Sequence, residues 1–274
     1  MITSTSNPAI KQIRKLRDRK ERQRTGKFYL EGLHIIGEAI DTNWPIDTLI
    51  SAPERMTSIF GQETIDKHLQ RGGNVLEVSG AVFDYLSEKD GPQGLAAVAS
   101  QVWYSLEEVD VKAGQTWIAL DSVADPGNLG TILRTCDAVG GSGVILLDQS
   151  TDPYDPGSVR GSMGALFSCK LIKASFLEFS QWKKRLTVPV IGTSDKATAN
   201  YHHFAYPDPL VILMGSERKG LLEMHLNLCD AVVSIPMTGK SDSLNLAVAT
   251  ALVCYEVYNF RQDWLLEEGK KGQP

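Results

Sequence analysis

The second half of the chain alternates short apolar runs with longer amphipathic stretches. Five runs have the length and composition of buried strands: TWIAL (116–120), GVILL (143–147), VPVIG (188–192), LVILM (210–214) and AVVSIP (231–236). Stretches with helical periodicity lie among them: NLGTILRTCDAVG (128–140), SFLEFSQWKKRL (175–186) and LNLAVATALVCYEVYNF (244–260). Continuous apolar strands that alternate with helices are typical of a sheet covered on both faces. We therefore predict an α/β domain with a mostly parallel sheet at residues 115–274.

The first hundred residues show a weaker pattern of the same kind. It predicts strands at 27–30, 46–51, 74–79 and 95–100, and helices at 31–41, 59–71 and 81–89. Ahead of them, Ser6-Asn7-Pro8 is a typical helix start, followed by a predicted basic helix over residues 9–24. The expected organisation is a helical leader at 1–26, a small α/β domain at 27–100, a polar linker at 101–114 and the larger domain.

The composition argues against a membrane-spanning, secreted or zinc-binding protein. The 274 residues are 42% hydrophobic, and no apolar run approaches the roughly 18 residues that a membrane-spanning helix needs. The start of the chain lacks the apolar run of a signal peptide, and the four cysteines form no CxxC pair. We expect a cytoplasmic enzyme or binding protein without a structural zinc site.

The net charge of −5 hides a strongly basic leader. Residues 1–27 contain nine basic and two acidic side chains, so the remainder of the chain is acidic. We expect a polyanionic partner for this leader, because phosphates bind where positive charge is concentrated. The side chains expected to contact it are Lys11, Arg14, Lys15, Arg17 and Arg22. The alternative is a solvated helix face without a ligand.

Two loops resemble nucleotide-binding motifs but lack their spacing. Gly239-Lys240-Ser241 follows a strand as a phosphate loop does, yet Ser234 stands where that motif needs a glycine. Gly140 to Gly143 precede a strand, whereas the dinucleotide fingerprint follows one. Neither an NTPase nor a dinucleotide-binding enzyme is therefore expected. The five histidines show no ligand spacing, so we expect no metal site.

Three blocks, each preceded by a predicted strand, occur in a specific order. They are Asn128-Leu-Gly-Thr-Ile-Leu-Arg134, Leu213-Met-Gly-Ser-Glu217-Arg-Lys-Gly220, and Ser234-Ile-Pro-Met followed by Ser243-Leu-Asn245-Leu-Ala-Val. This ordered triple resembles the motifs of the SpoU/TrmH branch of the SPOUT RNA methyltransferases. The basic leader, Phe28-Tyr-Leu-Glu-Gly32 and Pro92-Gln-Gly-Leu-Ala96 resemble the ribosomal-protein-like substrate-binding domain that precedes the catalytic domain in many members.

This resemblance implies a function and a fold. The expected activity is S-adenosylmethionine-dependent 2′-O-methylation of structured RNA, with 23S ribosomal RNA ahead of transfer RNA. The expected assembly is a homodimer whose Rossmann-like C-terminal domain contains a trefoil knot. A non-catalytic RNA-binding or ribosome-associated protein of the same fold is an alternative, and intact Arg134, Glu217 and Asn245 argue against it. A base methyltransferase is disfavoured because all three blocks resemble the ribose-modifying branch.

The expected cofactor residues follow the apolar strands. Gly215 allows backbone groups to approach a ligand closely, with ordinary turn chemistry as its alternative role. Residues 235–237 can form an apolar slot with exposed carbonyls for an adenine edge, and Leu244 would close it. Thr193 matches a position that contacts the cofactor in the family that the chain resembles. The full set is Thr193, Leu213, Met214, Gly215, Ile235, Met237, Ser243 and Leu244.

The expected catalytic residues are Arg134, Asn128, Glu217, Ser243 and Asn245. Arg134 interrupts an apolar helix, which indicates a charge that is either paired or functional. By resemblance it matches the residue that activates the hydroxyl. A guanidinium is a poor base, so we expect it to orient the hydroxyl and stabilise oxyanion charge. Glu217 could pair with Arg134 or receive the proton, and Asn128 could position Arg134 or cap its helix. Ser243 and Asn245 would anchor the loops, with helix capping as an alternative for Ser243.

Overall fold

The structure is a computed structural model that describes residues 1–88, 91–109 and 111–271 of the chain. It divides into two compact units, Met1–Val102 with Asp152–Ser168 and Trp103–Thr151 with Cys169–Pro274. The end of the helix predicted at 81–89, position 110 of the linker and the last three residues of the chain lie outside the described residues.

Helices and strands alternate along most of the chain. Their order is α1 (Pro8–Lys15), α2 (Arg19–Thr25), β1 (Lys27–Glu31), α3 (Leu33–Asp41), β2 (Ile46–Ser51), α4 (Ile59–Gln70), β3 (Val75–Glu77), α5 (Gly80–Leu86), β4 (Leu95–Ser100), β5 (Thr116–Asp121), α6 (Pro126–Ala138), β6 (Gly143–Leu147), α7 (Pro156–Ser162), β7 (Lys170–Ala174), α8 (Phe176–Leu186), β8 (Val190–Thr193), β9 (Ala199–Asn200), β10 (Leu210–Met214), α9 (Glu223–Leu226), β11 (Ala231–Ser234) and α10 (Leu246–Lys271). Short 3₁₀ turns occur at Leu106–Glu108, Ala165–Phe167 and Tyr201–His203.

The N-terminal unit is built on a sheet in the order β1-β4-β2-β3. Strand β4 runs antiparallel to β1 and β2, and β3 runs parallel to β2. The strands predicted in the first hundred residues are confirmed. The unit also contains α7, which follows β6 in the chain and which the sequence pattern did not predict. Its start has a clear local signal, since Asp155 caps the helix and Pro156 occupies its first turn.

The basic leader is two helices instead of the predicted single one. Asp18 has an extended backbone, and its carboxylate accepts a hydrogen bond from the Lys20 amide, so it caps α2 and separates it from α1. Gly26 ends α2 in the left-handed conformation, with φ of 65°. Ile10 and Leu16 are buried in the core, which makes the leader part of the folded unit.

The C-terminal unit confirms the predicted α/β architecture. Its sheet has the order β7-β6-β5-β10-β8-β11-β9, and each neighbouring pair is parallel. Strand β7 escaped prediction because it lies at an edge, where Lys170 and Lys173 are exposed between buried residues. Phe179 and Trp182 of α8 pack against one face of the sheet. No helix within the described residues is long and apolar enough to cross a membrane.

The order of the strands positions the candidate site. Strands β5, β10, β8 and β11 are consecutive neighbours in the sheet, although they are far apart in the chain. Because they are parallel, the loops that follow their carboxyl ends emerge at one edge. The three blocks singled out in the sequence lie in or directly after the loops that follow β5, β10 and β11.

Candidate active site

Glu217 is the centre of a hydrogen-bonded clamp. The residue lies in the loop after β10, and its carboxylate accepts hydrogen bonds from the backbone amides of Ala124 (3.0 Å) and Asp125 (3.2 Å). It also accepts one from the Asn128 side-chain Nδ2, at 3.1 Å. The donors belong to the loop after β5 and the first turn of α6. One carboxylate therefore ties together the loops after two adjacent strands.

Asn245 adds the third loop to this clamp. Its Nδ2 donates to Asn128 Oδ1 at 2.9 Å, so both polar atoms of the Asn128 side chain are used. Its Oδ1 accepts from the backbone amides of Ala247 (2.8 Å) and Val248 (3.3 Å), which caps α10. The name "triad clamp" is used below for Asn128, Glu217 and Asn245.

The capping roles expected from the sequence need correction. Asn245 caps α10, so capping is not the role of Ser243, which is exposed in the preceding loop. Asp125 caps α6 by accepting from the Asn128 backbone amide at 2.8 Å, which leaves the Asn128 side chain free for the clamp. The sequence analysis missed Asp125. The Asp-Pro pair at the helix start was a signal that could have found it.

The environment of Glu217 keeps it ionised. Partial burial acts to raise the pKa of its carboxyl group, but hydrogen bonds from its own amide, from Ala124, from Asn128 and from Asp125 outweigh burial and lower the pKa. A carboxylate with these donors is a weak proton acceptor. The structure places Glu217 in the clamp and not in a pair with Arg134, which corrects one of the two roles expected for it.

Arg134 lies on the solvent side of α6. Leu133 and Cys136 of the same helix are buried, whereas Arg134 is exposed beside exposed Thr131 and Asp137. The helix is amphipathic, so the expectation of a charge within an apolar helix was wrong. In the part of the chain that the structure describes, Arg134 makes no hydrogen bond or ion pair. Its guanidinium is available to a ligand, and the clamp fixes the first turn of the helix that carries it.

The predicted cofactor residues differ in what they can offer. Leu213 and Met214 are 0% and 2% exposed as whole residues, so neither presents surface to a ligand in this structure. Thr193 at the end of β8 donates its hydroxyl towards Met214 Sδ, 3.4 Å away. Met237 and Leu244 are 38% and 39% exposed. Among these residues, the exposed side chains that can contact the cofactor are those of the loop between β11 and α10.

The loop between β11 and α10 fits an adenosyl group. Ile235 is half-buried, and the exposed side chains of Met237 and Leu244 supply further apolar surface. Within the described residues, the backbone of 236–244 makes no hydrogen bond to other protein groups. Apolar side chains beside unpaired amides and carbonyls match the flat face and polar edge of a purine. The residues present therefore fit the cofactor that the resemblance implies.

Gly215 serves the packing of its own loop. A Cβ atom at this position would lie 2.0 Å from the Gly220 carbonyl carbon and 2.3 Å from the Leu221 nitrogen. Only glycine permits this close approach of two backbone segments, and Ser216 and Gly220 form a bridge next to it. Close approach to Gly215 was predicted for a ligand, and that part stays a prediction. The neighbour that requires glycine here is the loop backbone that presents Glu217.

The basic residues of the leader divide into two groups. Arg22 is 1% exposed and forms ion pairs with Asp152 (2.7 Å) and Asp155 (3.0 Å) within the N-terminal unit. It also donates to the carbonyls of Leu16 and Arg17, at 3.0 and 2.7 Å. The expectation that Arg22 contacts RNA is wrong, because its charge is buried and neutralised.

The remaining basic residues of the leader differ in how far protein groups already engage their side chains. Arg17 donates to the carbonyls of Leu86 and Ser87 and pairs with Glu88 at 2.8 Å. Arg14 stacks over the Tyr85 ring, 3.9 Å from its centroid, and donates to the Tyr85 carbonyl. Three lysines are exposed and make no hydrogen bond or ion pair within the described residues: Lys11, Lys15 and Lys20.

Two family models match the sequence. Residues 115–255 match the SpoU rRNA Methylase family, and residues 7–97 match the MRM3-like substrate binding domain. A 23S rRNA (uridine(2479)-2′-O)-methyltransferase of Streptomyces viridochromogenes is 29% identical over 90% of this chain and 87% of its own. The 23S rRNA (guanosine(2553)-2′-O)-methyltransferase RlmP of Bacillus subtilis is 28% identical over 93% of this chain and 98% of its own. The crystal structure of an AdoMet-bound rRNA methyltransferase from Sinorhizobium meliloti superposes with a TM-score of 0.86 and 37% identity, covering 94% and 97% of the two chains.

Proposed function

The chain belongs to the SpoU rRNA methylase family, and from this premise we propose that it methylates a ribose 2′-hydroxyl of 23S ribosomal RNA, with S-adenosylmethionine as the methyl donor. Residues 115–255 supply the catalysis, and residues 7–97 bind the RNA substrate. A ribosomal RNA substrate also implies a cytoplasmic location.

The triad clamp carries this proposal. Its three residues lie up to 117 positions apart in the sequence, yet the Asn128 side chain hydrogen-bonds to both Glu217 and Asn245. The clamp leaves Arg134 exposed and unpaired on the helix that it anchors. A rigid clamp beside a free guanidinium is suited to a reaction that needs orientation more than it needs a strong base.

The chemistry of the transfer assigns a role to Arg134. S-adenosylmethionine, when bound, supplies an activated methyl group on a sulfonium. The 2′-hydroxyl must attack it in line and lose its proton. Because a guanidinium stays protonated in proteins and only donates, Arg134 orients the hydroxyl oxygen and stabilises the negative charge that develops on it. The proton passes to an acceptor other than Glu217, whose carboxylate is occupied by the clamp. The proposed step needs no metal ion.

The cofactor is held at the carboxyl ends of β8 and β10 and by the loop before α10. We place the cofactor at the ends of β8 and β10, where Thr193 is half-buried and where Leu213, Met214 and Gly215 form the buried floor of the site. The residues in or next to the loop that contact it are Ile235, Met237, Ser243 and Leu244. Apolar contacts to the purine and hydrogen bonds at its edge provide the affinity.

A homodimer is part of the proposal. On α10, Val248, Leu252 and Tyr255 are 50%, 36% and 46% exposed, and their spacing of four and three places them on one face. Val253 and Val257 of the same helix are buried. A second apolar face on a helix that already packs into its own unit supports a protein partner, and a second copy of the chain fits it. The trefoil knot also stays a proposal, supported by the insertion of β10 between β5 and β8.

Substitution of Arg134 tests the function. Transfer of a tritiated methyl group from S-adenosylmethionine to 23S ribosomal RNA is measured for the wild-type chain and for Arg134→Ala. We expect kcat to fall by about 10²- to 10³-fold, as for the loss of one oxyanion donor, while cofactor affinity stays within a few-fold. Arg185→Ala, which removes an exposed arginine of α8, is the matched control and should be fully active. Equal losses of kcat and cofactor affinity in Arg134→Ala would assign Arg134 a structural role.

A further inference from the structure

Asp121 and His225 form a buried pair beside the triad clamp. Asp121 is the last residue of β5 and is 6% exposed, and His225 of α9 is 2% exposed. Asp121 Oδ2 lies 3.7 Å from His225 Nδ1. This separation exceeds a hydrogen bond, so the contact is electrostatic. Neither side chain is part of the clamp or of the expected cofactor site.

Each member of the pair is tied to one of the loops that meet at Glu217. Asp121 directly precedes the loop whose amides, at Ala124 and Asp125, bind the Glu217 carboxylate. That loop begins with Ser122, a non-glycine residue in the left-handed region, with φ of 52°. Such a backbone conformation persists only where neighbouring contacts enforce it. The Ser122 hydroxyl donates to Asp121 Oδ1 at 3.2 Å.

His225 holds the other loop, which runs from Gly215 past Glu217 to α9. Its Nδ1 accepts a hydrogen bond from the Leu222 backbone amide at 3.1 Å. This is the bond by which the third residue of a helix caps the residue before the helix. The ring packs edge-on against Phe176 at the start of α8, with 4.4 Å between centroids. His225 is therefore fixed from three sides.

The charges around the pair make the two residues depend on each other. Burial raises the pKa of Asp121, a charged His225 lowers it, the Ser122 hydroxyl lowers it, and Asp148 at the end of β6 raises it. The His225 ring lies with Nδ1 3.7 Å from Asp121 Oδ2 while the same nitrogen accepts from the Leu222 amide, so His225 links the end of β5 to the start of α9. Removing the imidazole leaves the buried Asp121 carboxyl group near Asp148 without the neighbour that lowers its pKa most.

We propose that His225, together with Asp121, is a positioning residue for the methyl transfer. The pair sets the spacing between the loop at 122–125 and the loop at 215–222, and this spacing determines whether Glu217 reaches both amides and Asn128. Through Asn128 it fixes the first turn of α6 and hence the placement of Arg134. This inference rests on the proposed function.

Three variants of the full chain test the pair. His225→Leu removes the acceptor and the basic group. His225→Gln retains an acceptor for the Leu222 N–H and a polar N–H group that can face Asp121, but it removes the basic group. Leu222→Pro leaves His225 in place, deletes the N–H donor and replaces the partly exposed leucine side chain by the proline ring. The Leu222 backbone, with φ of −75°, already suits proline.

The readout separates positioning from a structural role. We expect His225→Leu and Leu222→Pro to lower kcat by about 10- to 100-fold at saturating RNA, with S-adenosylmethionine affinity within about threefold. His225→Gln should restore most of kcat. His203→Leu, which removes an exposed histidine of the same unit, is the control.

Other results would overturn the inference. A wild-type kcat in His225→Leu or Leu222→Pro would do so. An equal loss of kcat in His225→Leu and His225→Gln would do so as well. If His225→Leu fails to fold, Leu222→Pro decides. A wild-type chain without methyl transfer would refute the proposed function, and the inference would fall with it; an active wild type with unaffected variants would refute the inference alone.

Discussion

Arg22 provides a quantitative test of how the N-terminal unit is held together. Replacing it by methionine keeps much of the apolar stem but removes the pairs with Asp152 and Asp155 and the hydrogen bonds to two backbone carbonyls. Breaking a buried ion pair costs about 3–5 kcal/mol, because the remaining charge is left uncompensated. We expect the lower part of this range, since the side chain of Asp155 is 32% exposed and water can solvate it.

Urea unfolding followed by circular dichroism measures this cost. With a slope of about 2 kcal/mol per molar urea, a loss of about 3–4 kcal/mol lowers the midpoint by roughly 1.5–2 M. Arg24→Met is the matched control: Arg24 lies on the same helix, is 70% exposed and pairs only with Glu21 in the described residues, so its midpoint should not change. Equal midpoints for the two variants would refute the reasoning. So would a well-folded Arg22→Met chain whose RNA affinity has lost salt dependence, because that result would return Arg22 to the RNA surface.

Two further predictions concern the exposed lysines and the clamp. Replacing Lys11, Lys15 and Lys20 together by glutamine should make the slope of log RNA affinity against log salt shallower by about 2–3 units, at 0.7 to 0.9 per phosphate contact. Filter binding at several salt concentrations measures this slope, and Lys184→Gln is the control. An unchanged slope would place the RNA on another surface of the protein. Because the pKa of Glu217 is lowered from its ordinary value of 4.5, its charge stabilises the folded state fully above pH 4.5, and this contribution is lost as the pH falls through the lowered value. Thermal melting of the wild-type chain and Glu217→Gln should therefore differ at neutral pH and converge in acid; a constant difference would contradict the role of the charge.

Much of the C-terminal unit was predictable because its local signals agree. The apolar runs predict strands β5, β6, β8, β10 and β11, and parallel strands place the loops at their carboxyl ends along one edge of the sheet. The sequence could therefore indicate that Asn128, Glu217 and Asn245 share a site. It could not indicate which atoms bond, because that depends on the strand order β5-β10-β8-β11.

The errors arose where the partner is distant in sequence. Arg22 belongs to a basic run, and nothing local shows that its counter-charges lie 130 and 133 positions away at Asp152 and Asp155. Arg134 was treated as a charge in an apolar helix because its neighbours are apolar. Solvent reaches its side of α6, and only the packing of the other side shows this. Asp121 and His225 gave no signal, since a single aspartate and a single histidine are common in any chain.

The large sequence separation between the residues of the triad clamp also determines when the site can form during translation. Asn245 closes it with Asn128 across 117 residues, and β10 must enter between β5 and β8 before Glu217 can meet its amides. Contacts of such long range form late, because the chain must close large loops before they contribute any stability. A ribosome covers the last stretch of a nascent chain, so the clamp cannot assemble until Asn245 has left the ribosome. The N-terminal sheet, whose strands all lie within the first hundred residues, is free to fold much earlier. A nascent chain would thus form the sheet that matches the MRM3-like substrate binding domain before it forms the clamp.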